Sequence, residues 1–198
     1  PVKSVSHPLS RLDKIVIIGT STGGPRALNT VMPLINSQLK AAFVIIQHMP
    51  AGFTRSLAER LDSNSLLSIK EAEPGDMLET GKCLLAPGGF HMVFNANQQV
   101  TLNQNPTVHG VRPAIDVTMS SIVNHFENKI IGVILTGMGS DGTNGSSLIH
   151  AAGGKIIAEA EETSVVWGMP RSVVEAGIAD EVVPLTNIHT AIEKAVTR

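Results

Sequence analysis

Short unbroken apolar runs alternate along this chain with stretches whose apolar residues recur every three or four positions. "KIVII" (14–18), "AAFVIIQ" (41–47) and "KIIGVILT" (129–136) are runs of the first kind, and "GKIIAEA" (154–160) and "DEVVPL" (180–185) are shorter ones. A run without polar alternation is what a strand buried on both faces requires. Between the runs lie predicted helices at 24–35, 53–63, 114–126, 143–153, 170–177 and 186–197. Their ends carry the expected punctuation: Pro113 near the start of the third, Gly153 and Gly177 closing two others, and Thr186 as an N-cap for the last.

The middle of the chain reads differently. Across 66–104, "LLSIKEAEPGDML", "GKCLLAP", "HMVFNA" and "QQVTLN" are short strand candidates separated by turn signals, and "NANQ" is placed to close an antiparallel hairpin. The sum is an α/β fold. It is doubly wound, with a mostly parallel sheet, helices on both faces and an antiparallel hairpin insertion. Residues 13–198 form one domain on this reading. The polar stretch 1–12 reads as a linker or a cut terminus.

Composition narrows the function. The chain has 198 residues, 42% of them apolar, a formal net charge of −2, only 3% aromatic residues and no tyrosine. Nothing there supplies the basic footprint or stacking platform of a nucleic-acid binder. No apolar run approaches the ~20 residues of a membrane span, so no direct membrane insertion is expected. The one cysteine, Cys83, sits in an apolar run and reads as a buried core thiol; a single cysteine fits a reducing compartment.

Candidate chemistry collects at the ends of the predicted strands. "GTSTGG" leaves the first run, and Gly19-Thr20-Ser21-Thr22-Gly23 has the form G-x-S-x-G, a strand-to-helix turn that presents a serine hydroxyl. The phosphate-loop alternative lacks the lysine that should follow Gly24, and the dinucleotide alternative lacks a carboxylate at the end of the second run. His48 follows "FVIIQ", and Asp141 lies in "LTGMGSDG" after the strongest run. A nucleophilic serine needs a base, and the imidazole needs a carboxylate to fix its tautomer; the carboxyl-terminal edge of such a sheet is where the three could meet. The main-chain N–H of Thr22, with that of Met138 or Gly139 as a second donor, would face a developing oxyanion. The other histidines show no metal-ligand spacing, and neither a metal nor a cofactor is expected. Arg55, Arg112 and Arg171 fall near loops on the same edge and could steer an acidic partner. The same loop would also serve a small-molecule esterase, a non-catalytic nucleotide or anion binder, or an inactive scaffold domain.

The segments "IVIIGTSTGGPRAL", "FVIIQHMPAGFTRSLAERL", "KEAEPGD", "LLAPGGFHM", "RPAIDV", "GVILTGMGSDGTNG" and "VVWGMPRSVVEAG" together resemble the catalytic domain of the bacterial chemotaxis protein-glutamate methylesterases, the CheB family. The resemblance implies a cytoplasmic serine hydrolase with no cofactor. It implies hydrolysis of glutamate γ-methyl esters, and deamidation of certain glutamines, on the cytoplasmic helices of chemoreceptors during adaptation. It also implies that Ser21 is the nucleophile, His48 the general base and acid, and Asp141 the orienting carboxylate. Thr20 stands where the family usually has alanine. A phosphoacceptor receiver domain, which the resemblance implies as a regulatory partner, is not among these segments.

Overall fold

The structure, a computed structural model, describes residues 12–126 and 129–198. The linker expectation for 1–12 therefore falls, but for Leu12, outside the described residues. In chain order the elements are β1 (Lys14–Thr20), α1 (Gly24–Val31), β2 (Ala41–Gln47), α2 (Phe53–Asn64), β3 (Ser68–Glu71), β4 (Lys82–Leu85), β5 (His91–Phe94), β6 (Val100–Asn103), α3 (Ile115–Phe126), β7 (Ile130–Ile134), α4 (Thr143–Ala151), β8 (Lys155–Glu159), α5 (Met169–Glu175), β9 (Glu181–Val183) and α6 (Ile188–Val196).

Seven strands form one sheet in the order β3-β4-β2-β1-β7-β8-β9, and every pairing in it is parallel. Successive side chains on a strand point to opposite faces. Val16, Ile18, Phe43 and Ile45 accordingly pack against α1, α2 and α6, whereas Ile15, Ile17, Val44 and Ile46 pack against α3, α4, α5 and the small β5–β6 hairpin. Two covered faces are why β1, β2 and β7 read as continuous apolar runs.

The middle region departs in part from the expectation. The β5–β6 pair is antiparallel and closes through residues 95–98, with Asn95 Oδ1 accepting the N–H groups of Asn97 and Gln99. The two strands before it, β3 and β4, instead extend the parallel sheet beyond β2. The coil 72–81 carries the chain back between them, a crossover that leaves no helical signature in the sequence. Several helix ends also differ by a few residues from the expectation. α1 stops at Val31, where Pro33 tightens the next turn into a 3-10 helix; Thr186 lies in a 3-10 turn, and Asn187 takes the cap position of α6. No helix among the described residues is long and apolar enough to cross a membrane.

This strand order sets the site. β1 lies between β2 and β7, so the chain winds to one side of β1 first and to the other side later. The crevice beyond the carboxyl ends of β1 and β7 is the switch point of the sheet, where doubly wound folds bind ligands.

Candidate active site

Ser21 is the first residue beyond β1, and His48 the first beyond β2. The register pairs Thr20 with Gln47, so the two side chains leave neighbouring strands at one level. The His48 N–H donates to the Thr20 carbonyl at 3.1 Å and carries the ladder one residue further. On the other side the Ser21 N–H donates to the carbonyl of Thr136, beyond β7, at 3.0 Å. Main-chain bonds from both neighbours thus hold Ser21 in the crevice, while its hydroxyl has no hydrogen-bond partner among the described residues.

Asp141 comes from the loop between β7 and α4 and is 2% exposed. Its Oδ2 lies 2.7 Å from His48 Nε2 and accepts the Ile115 N–H at 2.7 Å; its Oδ1 accepts the Asp116 N–H at 2.9 Å. It therefore caps the start of α3 while holding the imidazole, and the positive end of the helix dipole supports its charge. Burial opposes ionisation of Asp141, but the His48 hydrogen bond and the two main-chain N–H groups outweigh it and hold the carboxyl below its ordinary value. An ionised carboxylate only accepts, so the neutral His48 ring carries its proton on Nε2 and leaves the Nδ1 lone pair as its base. In the serine-protease triad it is the other ring nitrogen, Nδ1, that meets the carboxylate.

The third strand end closes over the serine. A Cβ on Gly137 would lie 2.8 Å from the Ser21 Cβ, so only glycine lets this loop approach so near. The Gly137 carbonyl accepts the N–H groups of Gly168 and Met169, which ties the "TGMG" loop to the "WGMP" segment. The main-chain N–H groups of Thr22 and Met138 have no hydrogen-bond partner among the described residues. The Met138 side chain is 68% exposed.

A profile of the CheB methylesterase family matches residues 16–192. This chain belongs to the CheB methylesterase family. It is 51% identical over 183 residues to a protein-glutamate methylesterase/protein-glutamine glutaminase of Symbiobacterium thermophilum, covering 92% of this chain and 51% of that protein. It is 47% identical over 184 residues to a protein of the same name from Pyrococcus horikoshii, covering 91% and 50%. The crystal structure of the Thermotoga maritima CheB methylesterase catalytic domain superposes with a TM-score of 0.88 at 47% identity, covering 91% of this chain and 97% of that one. The fold is thus the CheB catalytic-domain fold, and the chain spans about half the length of the curated relatives it matches.

Two further carboxylates support this CheB-type crevice, and neither stood out as a candidate in the sequence. Asp116, in the first turn of α3, accepts the N–H groups of Gly142 and Gly145 on Oδ1 and bonds His109 Nε2 on Oδ2. Asp141 caps the helix that carries Asp116, and Asp116 caps the helix that follows Asp141. The available signal was an acidic residue in a first helical turn, which alone would not name its distant partner. Glu159, fully buried at the end of β8, accepts the Thr136 N–H at 2.8 Å and the Thr163 hydroxyl at 3.0 Å, and so fixes the residue that holds Ser21. Burial raises the carboxyl pKa of both Asp116 and Glu159.

His109, Asp116 and Asp141 place three potential metal ligands within 4.8 Å of one another. Each carboxylate oxygen there already faces a main-chain N–H or an imidazole nitrogen. Of the three arginines on this edge, Arg112 lines a cavity of about 280 Å³ with His48, Met49, Pro50 and Val111. Its Nη1 donates to the carbonyls of Gln104 and Asn105. Arg55 and Arg171 are exposed and face Glu71 and Glu175. Cys83 is buried, and burial pushes its thiol pKa up.

Proposed function

We propose that residues 13–198 form the catalytic domain of a protein-glutamate methylesterase/protein-glutamine glutaminase. Its substrates are γ-methyl-esterified glutamates, and certain glutamines, on the cytoplasmic helices of chemoreceptors, and its place is the cytoplasm. The observation that carries the reading is the 2.7 Å contact between His48 and buried Asp141, one strand end away from Ser21. A receiver domain is its regulatory partner in any longer chain that carries both.

In this mechanism Ser21 Oγ attacks the ester carbonyl, and His48 Nδ1 takes the hydroxyl proton. Asp141 stabilises the imidazolium and keeps the ring in place. The oxyanion meets the unpartnered N–H groups of Thr22 and Met138, each such donor supplying roughly 3 kcal/mol in the transition state. The ester C–O bond breaks, and methanol leaves with the proton from His48. Water then adds to the acyl-enzyme by the same route, giving glutamate and free Ser21; a glutamine substrate releases ammonia instead. The protein residues supply every group in these steps.

The test is methanol release from a methylated chemoreceptor fragment, measured beside hydrolysis of p-nitrophenyl acetate. The reading predicts receptor-dependent methanol release well above turnover of the aryl ester. Fast aryl ester hydrolysis with no methanol from the receptor would assign the site to small esters instead.

A further inference from the structure

Gln47 is the last residue of β2, 2% exposed, and it lies behind the site rather than in it. Its Nε2 donates to the Ser21 carbonyl at 3.0 Å and to the His48 carbonyl at 2.9 Å. Both neighbours are acceptors, so the orientation of the amide is fixed. The ladder between β1 and β2 ends at the His48 N–H, and beyond it this one NH₂ group joins the two strand exits. Among the described residues the His48 carbonyl has no other partner. The Ser21 carbonyl also accepts the Gly24 N–H at 2.8 Å.

The other end of the amide is what a space-filling role would not produce. Gln47 Oε1 is buried and has no hydrogen-bond partner among the described residues. Such an oxygen costs stability, and an apolar side chain of similar length would avoid the cost. The neighbouring sequence accommodates it nonetheless. A Cβ on Gly24 would lie 2.0 Å from that oxygen, so glycine there leaves the room the amide needs.

We propose that Gln47 is a positioning residue, a clamp whose single NH₂ group sets the spacing of the Ser21 and His48 peptides for proton transfer. This rests on the reading of Ser21 and His48 as nucleophile and base. Because Gln47 is shielded from the crevice, its loss should lower kcat and leave KM alone.

The experiment compares the unaltered chain with Gln47→Met, Gln47→Asn and Ser21→Ala. Methanol release from methylated receptor gives kcat and KM, fluorophosphonate labelling of Ser21 gives a rate that needs no receptor, and thermal unfolding gives Tm. Gln47→Met keeps the length and removes both hydrogen bonds and the unpartnered oxygen. It should lower kcat and the labelling rate about tenfold to a hundredfold, with KM within about twofold and Tm lowered by only a few degrees, since the His48 carbonyl loses its partner while the unpartnered oxygen is removed. Gln47→Asn, too short to reach both carbonyls, should fall between. If Ser21→Ala is inactive while Gln47→Met keeps kcat within about twofold, the clamp is wrong and the nucleophile stands. If both Gln47 variants lose activity only in step with Tm, or fail to fold, Gln47 belongs to the framework and the proposal is overturned. An active Ser21→Ala removes the nucleophile and the clamp together.

Discussion

Asp141 shows how one residue can serve packing and chemistry at once. It is buried, yet its carboxyl is held below its ordinary value because three N–H groups converge on it. A depressed folded value has a definite sign. The stabilisation is fully present above the ordinary aspartate pKa of ~3.9 and is lost as pH falls through the lower folded value. Asp141→Asn should abolish this dependence. In urea unfolding from pH 7 down to pH 3, the stability gap between the original chain and Asp141→Asn should therefore narrow once the pH drops below about 4. A gap unchanged by pH would mean that Asp141 gains nothing from its charge. The same variant puts a donor where His48 needs an acceptor, and kcat should fall by about 10⁴-fold.

The elements that matter most are α3 and α4: Asp116 in the first turn of α3 caps the start of α4, and Asp141, just ahead of α4, caps the start of α3. Asp116→Ala strands the N–H groups of Gly142 and Gly145 in a buried place. The expected loss is about 2 kcal/mol of unfolding free energy, read by urea denaturation at neutral pH. A loss under about 0.5 kcal/mol would show that the loop carrying Asp141 is held by other contacts. This pairing was not legible in the sequence. "AIDV" and "GSDG" each look like an ordinary helix start, and only the fold reveals that they exchange caps. The hairpin 91–103, by contrast, was legible through "NANQ", because its turn chemistry is local. The parallel pairing of β3 and β4 was not, because a coil crossover carries no periodicity to announce it.

Across the whole molecule, the sequence made the edge of the sheet visible but not its neighbours. Apolar runs located β1, β2 and β7, and a polar residue after each marked Ser21, His48 and Asp141 as residues of one rim. Strand order and register, which set Ser21 beside His48 and Gln47 behind both, come from long-range pairing that no local pattern encodes. Family resemblance supplied the roles, and the geometry shows what supports them: Glu159 through Thr136 on one side of the serine, Gln47 on the other, and α3 beneath Asp141. The central claim is that the Ser21 hydroxyl is the attacking group. Methanol release from methylated receptor by Ser21→Ala, at equal enzyme concentration and verified folding, tests it most directly. The account predicts a rate at least about 10³-fold below that of the unaltered chain; a rate within about tenfold of it would contradict the account.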